Sequence, residues 1–238
     1  MMFVYKLTLR QLSGRWRLLI TLLLAGLPVT MGVIWRVIEG DARPDSDFEG
    51  FAINGMLAGS IIPLVTLAIS SAAFSNEIED KTLANLTLSP IARWKIVVPK
   101  LLGAMTIAGF FMMIAAFATG YIAYSGDMTA ALAITAGAAV AVSLYASVFI
   151  LVGLVTTKAI GFGLLYVFLW EGLFAGFVSG VRFLSIRHYS LTIVNGVDDR
   201  IFADGEHLSF TVAIVASASV FVIFLALAIV RLRRMDVP

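Results

Sequence analysis

The 238 residues include no cysteine and two histidines, and only 13% of the side chains are charged. Without cysteine there is no disulfide, no thiolate nucleophile and no Cys-ligated metal, so thiol redox and zinc–thiolate chemistry are excluded. His188 and His207 stand 19 residues apart, with no metal or protease spacing between them. No stretch matches GxxxxGK followed by Ser or Thr, so nothing supports ATP binding by this chain. No serine lies in a nucleophile elbow, and catalysis is not expected. Scarce charge also excludes a water-soluble globule: 60% of the residues are hydrophobic and the mean hydropathy is +0.98.

What the chain has instead is long apolar runs, each close to the roughly 20 residues that cross a hydrocarbon core as a helix. They lie at about Leu18 to Ile38, Phe51 to Ser75, Ile96 to Tyr124, Met128 to Thr156, Ala159 to Ser179 and Phe210 to Val230. No run shows the alternation of a membrane barrel, and the first is too long for a removable signal peptide. The sequence therefore predicts an all-α, polytopic membrane protein with six transmembrane helices, a single domain over 1–238.

Lys and Arg in short loops mark the cytoplasmic face. With both termini inside, 12 of the 17 basic residues are cytoplasmic, and only Arg36, Arg43, Arg182, Arg187 and Arg200 lie outside. Ten acidic residues, among them Glu49, Asp127 and Asp198, lie on the outer side. The positive excess faces anionic lipid headgroups, and nucleic acid binding has no support.

Between the spans, three segments carry local signals. In 1–17, Lys6, Arg10, Ser13 and Arg17 recur at helical spacing away from Phe3, Val4 and Leu7, which describes a helix lying in the interface or a plain basic flank. In 76–95, Asn76 can cap a helix with Glu79 as reciprocal partner, and Glu77, Glu79 and Asp80 favour its first turn. Ile78, Thr82, Leu83 and Leu86 share one apolar arc, and Ser89 and Pro90 are placed to restart the chain as N-cap and first residue of the third span. The 76–88 helix is then a lever for a soluble partner or a capped loop on the headgroups. In 180–209, apolar residues among Arg182, Arg187 and His188 suggest a re-entrant or interfacial helix ended by Asn195 and Gly196, or a small outer lid.

One ionisable residue sits deep in a span: Glu171, about 20 Å from the cytoplasmic face at 1.5 Å per residue. It could line a polar conduit or be a structural fixture, and the structural role is preferred because no second ionisable residue continues a relay. Gly172, Gly176 and Gly180 make two GxxxG steps on the same helix, a pattern for close helix approach within the chain or across a dimer axis. Pro28, Pro63 and Pro99 are expected to kink their spans.

Together the residues FSNEIEDKTLANLTLSPIARWKIVVPKLLG, from Phe74 to Gly103, resemble the coupling region of ABC-2 type permeases, the membrane subunits of ABC exporters. Glu77, Glu79, Asp80, Thr82, Leu83, Pro90, Arg93, Lys100 and Gly103 match the family's pattern. The stretch YVFLWEGLFAGFVSGVRFLSIRHYS, which contains Glu171, is similar as well. The resemblance implies a dimer of permeases on two separate ATPase subunits. No cofactor belongs to this chain; ATP and magnesium belong to the partner. The 76–88 helix would sit in a groove of the ATPase, the glycines near the dimer seam, and the chain in the cell membrane. The competing functions are a stand-alone ion-coupled transporter using Glu171 and a membrane hydrolase. The first would usually show internal repeats and the second needs a cluster of catalytic groups, neither of which is found.

Overall fold

The structure is a computed structural model that describes residues 1–79, 92–174, 184–203, 205 and 208–235. Among the described residues every regular element is helical. α1 is Met2–Leu12, α2 Arg15–Glu39, α3 Ser46–Glu79, α4 Trp94–Ala123 and α5 Met128–Val155. α6 joins Ala159–Leu165 to Tyr166–Phe174, α7 is Ile186–Val197 and α8 Phe210–Arg234. Five helices, α2, α3, α4, α5 and α8, are long and apolar enough to cross a membrane. The fifth expected run is shorter within the described residues, Ala159–Leu173, and its remainder to Ser179 lies outside them.

α5 is the central helix, packing on α3, α4, α6, α7 and α8. In lipid, helix association relies on close backbone approach and van der Waals contact rather than on water exclusion, so small residues favour the centre. The Ala136 to Ala139 stretch supplies them. A Cβ on Gly137 would stand 2.5 Å from Val194 Cγ2 and 2.8 Å from the Ser190 carbonyl, so only glycine lets α7 lie this close to α5. α2 and α8 flank the bundle and leave Leu23, Val37, Val215 and Val222 exposed, as lipid-facing side chains require.

α3 contains a π-helical stretch, Glu49–Ile61, which closes where the Ile62 N–H reaches the Leu57 carbonyl. Pro63 follows at once, and its missing N–H makes it a natural point for the ladder to change register to α. Pro28 and Pro99, by contrast, lie within continuous helices.

No new helix begins at Asn76. α3 runs on to Glu79 with Asn76 in its interior, a correction to the expected cap. The reason is local: Ala72, Ala73 and Phe74 are buried, so packing carries the helix onward, and the Ser71 and Ser75 hydroxyls are satisfied by the Leu67 and Ser71 carbonyls at 2.6 and 2.8 Å without ending it. Similarly, α4 starts at Trp94 with Arg93 at its N-cap, not at Pro90; Ser89 and Pro90 themselves lie outside the described residues.

α1 docks on α4 as well as presenting a charged face. Val4, Thr8 and Leu12 are buried, and Tyr5 Oη and Thr106 Oγ1 are 3.0 Å apart. Lys6 and Arg10 remain exposed, as do Met2, Phe3 and Leu7.

Candidate functional site

Of the buried carboxylates, Glu77 and Glu171 lie within the helical bundle and join its helices. At the end of the bundle that holds the termini, Glu77 on α3 meets Lys100 on α4 at 2.6 Å, with Lys100 fully buried and Glu77 nearly so. Lys100 also donates to the Ala73 carbonyl and lies 4.5 Å from the centroid of the Phe74 ring. An ammonium withdrawn from water needs such partners. The pair ties together the two helices that lead into and out of 80–91.

Glu77, Ile78 and Glu79 of the expected coupling set therefore fall on the last described turn of α3, buried, half-buried and exposed in that order. Arg93 is half-buried at the start of α4. Asp80, Thr82, Leu83, Leu86 and Pro90 lie outside the described residues. Lys100 contributed to the resemblance and to the cytoplasmic charge count, but its burial opposite Glu77 was not expected. The spacing of 23 positions across a connection carries no helical signal that could have shown it.

The second carboxylate, Glu171, sits on the π-helical part of α6 and caps α7. Its Oε1 accepts from the Ile186 N–H at 2.9 Å and from the Tyr166 hydroxyl at 3.2 Å; its Oε2 accepts from the Ser185 hydroxyl at 2.6 Å and the Arg187 N–H at 3.4 Å. Ser185 is the N-cap residue of α7, and its Oγ accepts from the His188 N–H at 3.2 Å. A carboxylate at a helix N-terminus meets both unpaired N–H groups and the positive end of the dipole. These four donors occupy both oxygens of Glu171.

From the same turn, Arg187 reaches across to α3, where its Nε donates to Asn54 Oδ1 at 2.6 Å. A Cβ on Gly59 would fall 3.1 Å from Arg187 Nη1, so the glycine leaves room for the guanidinium. The sequence placed Arg187 among the outer basic residues; it is half-buried between α3 and α7. The reason is that Asn54 supplies an acceptor and Glu171 lies at the same helix end. Tyr145 on α5 is fully buried nearby, with rings of Tyr145, Phe149 and Tyr166 in successive contact at 5.8 and 6.2 Å.

α7 continues to Val197, past the expected stop at Asn195 and Gly196, and the Asn195 amide donates to the Ile201 carbonyl at 2.8 Å to fold back the following turn. Arg200 then clasps Asp198 and Asp127, with Nε to Asp198 Oδ1 at 2.7 Å and Nη2 to Asp127 Oδ2 at 2.9 Å. Asp127 caps α5 by accepting from the Thr129 N–H at 2.9 Å. Slight burial works the other way, but the backbone bonds from Ala130 and Thr129 and the Arg200 guanidinium hold this carboxyl below its ordinary range.

Gly172 is exposed, and a Cβ there would meet nothing closer than the Val167 carbonyl of its own helix, at 3.6 Å. Gly176, Gly180 and His207 lie outside the described residues. Of the basic residues expected at the interface, Lys6 and Arg10 are exposed and Arg17 is half-buried.

The sequence model of a family described as ABC-2 family transporter protein matches residues 10–181. A search of curated proteins returns no match.

Proposed function

We propose, from the premise that this chain belongs to the ABC-2 transporter family, that it is the permease subunit of an ATP-driven exporter. In this reading two copies form the pathway and dock on two copies of a separate ATPase, which holds ATP and magnesium. The family match over residues 10–181 is the observation that carries the proposal, since it spans the segment between α3 and α4 and the region around Glu171.

The geometry supports a coupling role for 76–88. Force applied to a segment between two helices reaches the bundle only if both helices are gripped at its base, and the Glu77–Lys100 pair grips both. Glu79 is exposed at the edge of this segment, where a partner can reach it. The basic residues at 6, 10, 15 and 17 and at 231, 233 and 234 support a cytoplasmic position for both termini. The apolar sequence that follows α6 supports a sixth span, and α7, a 12-residue helix too short to cross, fits a re-entrant segment.

Glu171 acts in this reading as the cap that fixes α7, not as a carrier of protons. Gly172 is exposed, and a Cβ there would meet only its own helix, which suits a seam with a second copy. The test is charge reversal at Glu79 and Asp80 in the permease co-expressed with its ATPase. Loss of stimulated ATP hydrolysis with the permease still folded supports coupling; unchanged stimulation contradicts it.

A further inference from the structure

No acidic residue stands before Glu39, so the stretch that forms α1 and the start of α2 carries only positive charge. Lys6, Arg10, Arg15 and Arg17 make no ion pair among the described residues, whereas Arg36, Lys100 and Arg200 each meet a carboxylate. α1 also packs on the last turns of α3, where Glu77 is engaged by Lys100 and Glu79 is exposed. The 80–91 segment that follows holds one acid and one base, Asp80 and Lys81, and adds no net charge. The positive excess is therefore larger than the acids beside it can balance. We propose that α1 and the first turn of α2 form a docking surface for anionic phospholipid, with Lys6, Arg10, Arg15 and Arg17 at the headgroups and Phe3, Leu7 and Trp16 in the acyl boundary.

α1 divides into three stripes, each at the four-residue spacing of one helix face. Val4, Thr8 and Leu12 are buried and fasten α1 to α4, where a Cβ on Gly103, three residues beyond Lys100, would stand 2.9 Å from Thr8 Cγ2. Lys6 and Arg10 form the second stripe and are exposed. Phe3 and Leu7 form the third and are exposed as well, although packing on α4 uses neither. Phe3 is 76% exposed, and Trp16, at the start of α2, 75%. Charge placement across a bilayer accounts for the basic stripe alone. An apolar stripe beside it is the pattern of a helix that lies between headgroups and acyl chains.

Only Ser13 and Gly14 separate α1 from α2, which is long and apolar enough to cross a membrane. The surface therefore lies where that span enters the bilayer. Anionic headgroups supply the negative charge that the chain lacks here, acyl chains cover the apolar and aromatic side chains, and the long Lys and Arg stems reach past the apolar edge. A soluble acidic partner would answer the charge and leave Phe3, Leu7 and Trp16 in water. Because Tyr5 meets Thr106 and Thr8 meets Gly103, lipid held at α1 bears on the helix that carries Lys100.

The principal readout needs no ATPase, so its failure leaves the proposed coupling standing. The full chain is placed in nanodiscs of phosphatidylcholine alone, or of phosphatidylcholine and phosphatidylglycerol in equal parts, and amide exchange of α1 is followed by mass spectrometry. Exchange of α1 should be slower by about fivefold or more with phosphatidylglycerol, the effect of about one basic residue at a charged surface, and high salt should remove most of the difference. Lys6→Gln combined with Arg10→Gln, at two exposed positions, should lose most of the slowing in a folded protein. Lys6→Arg combined with Arg10→Lys should keep it, because attraction to the surface follows charge. Phe3→Ser combined with Leu7→Ser should speed exchange in both lipids alike. Equal exchange of wild-type α1 in the two lipids, or slowing undiminished in the double Gln variant, overturns the proposal. Slowing that appears only with the ATPase bound also overturns it and assigns the face to that partner.

Discussion

Glu77 and Glu171 are both buried acids in an apolar bundle, yet they are satisfied by different means. Glu77 pairs with a side-chain cation, Lys100, which comes from another helix. Glu171 meets two hydroxyls and two backbone N–H groups, three of them from the start of α7. A pair of side chains can separate when its two helices move, at the cost of two exposed charges. A carboxylate bound into a helix terminus moves only with that helix. Under the proposed coupling, the difference assigns transmission of motion to the terminal end of the bundle and resistance to it to the Glu171 region.

Breaking the ion pair should give the largest effect. Lys100→Met leaves Glu77 buried without this cation and should destabilise the protein by about 3–5 kcal/mol, whereas Glu77→Leu combined with Lys100→Met should recover most of the loss. Denaturation of the three proteins in one detergent measures it. A single substitution that costs nothing would remove the pair from the account.

Next comes Glu171→Ala, which leaves buried donors at the start of α7 unpaired and should cost about 2–3 kcal/mol. Faster amide exchange confined to α7 would sharpen the comparison by showing that the cap holds this helix alone. Glu171→Gln keeps an acceptor and should retain transport with an unchanged pH profile; a shifted profile in an assembled complex would return Glu171 to the transport pathway.

How much of this was legible in the sequence depends on the range of the interactions. The runs expected at Leu18 to Ile38 and Met128 to Thr156 became Arg15–Glu39 and Met128–Val155, because long apolar segments fix their own helices. The 180–209 segment was expected to be helical in part, and α7 supplies that helix. Glu171 stood out as an intramembrane acid, but three of its four partners lie 14 to 16 residues onward and do not share its helix. The same holds for Lys100, whose partner is reached only when α3 and α4 pack. Asn76 misled because capping chemistry was present in residues that the preceding helix simply incorporates. The π-helical stretches left no periodic mark either, since both are apolar almost throughout.

Smaller effects test the surfaces. Gly172→Ala meets only ordinary contact within one chain, so it should change the stability of a single copy by less than about 0.5 kcal/mol. A measurable loss of dimer on dilution would place that face at the seam. Glu79→Lys, at an exposed position, should likewise leave stability within about 0.5 kcal/mol while lowering ATPase stimulation. Acidification adds a check at the opposite end of the bundle. Because the Asp127 carboxyl is held below its ordinary value of 3.8, its contribution is present above that value and is lost as pH falls through the lower folded value. Asp127→Asn should flatten this acid-side decline.

The most direct test of the central claim is purification of the tagged chain from its native host in mild detergent, with the accompanying chains identified and ATP hydrolysis assayed. The account predicts a stoichiometric ATPase partner that is lost when Leu83 and Leu86 are replaced by charged residues and retained in Glu171→Gln. Recovery of the chain alone, without ATPase activity, under conditions that keep other membrane complexes intact would contradict it.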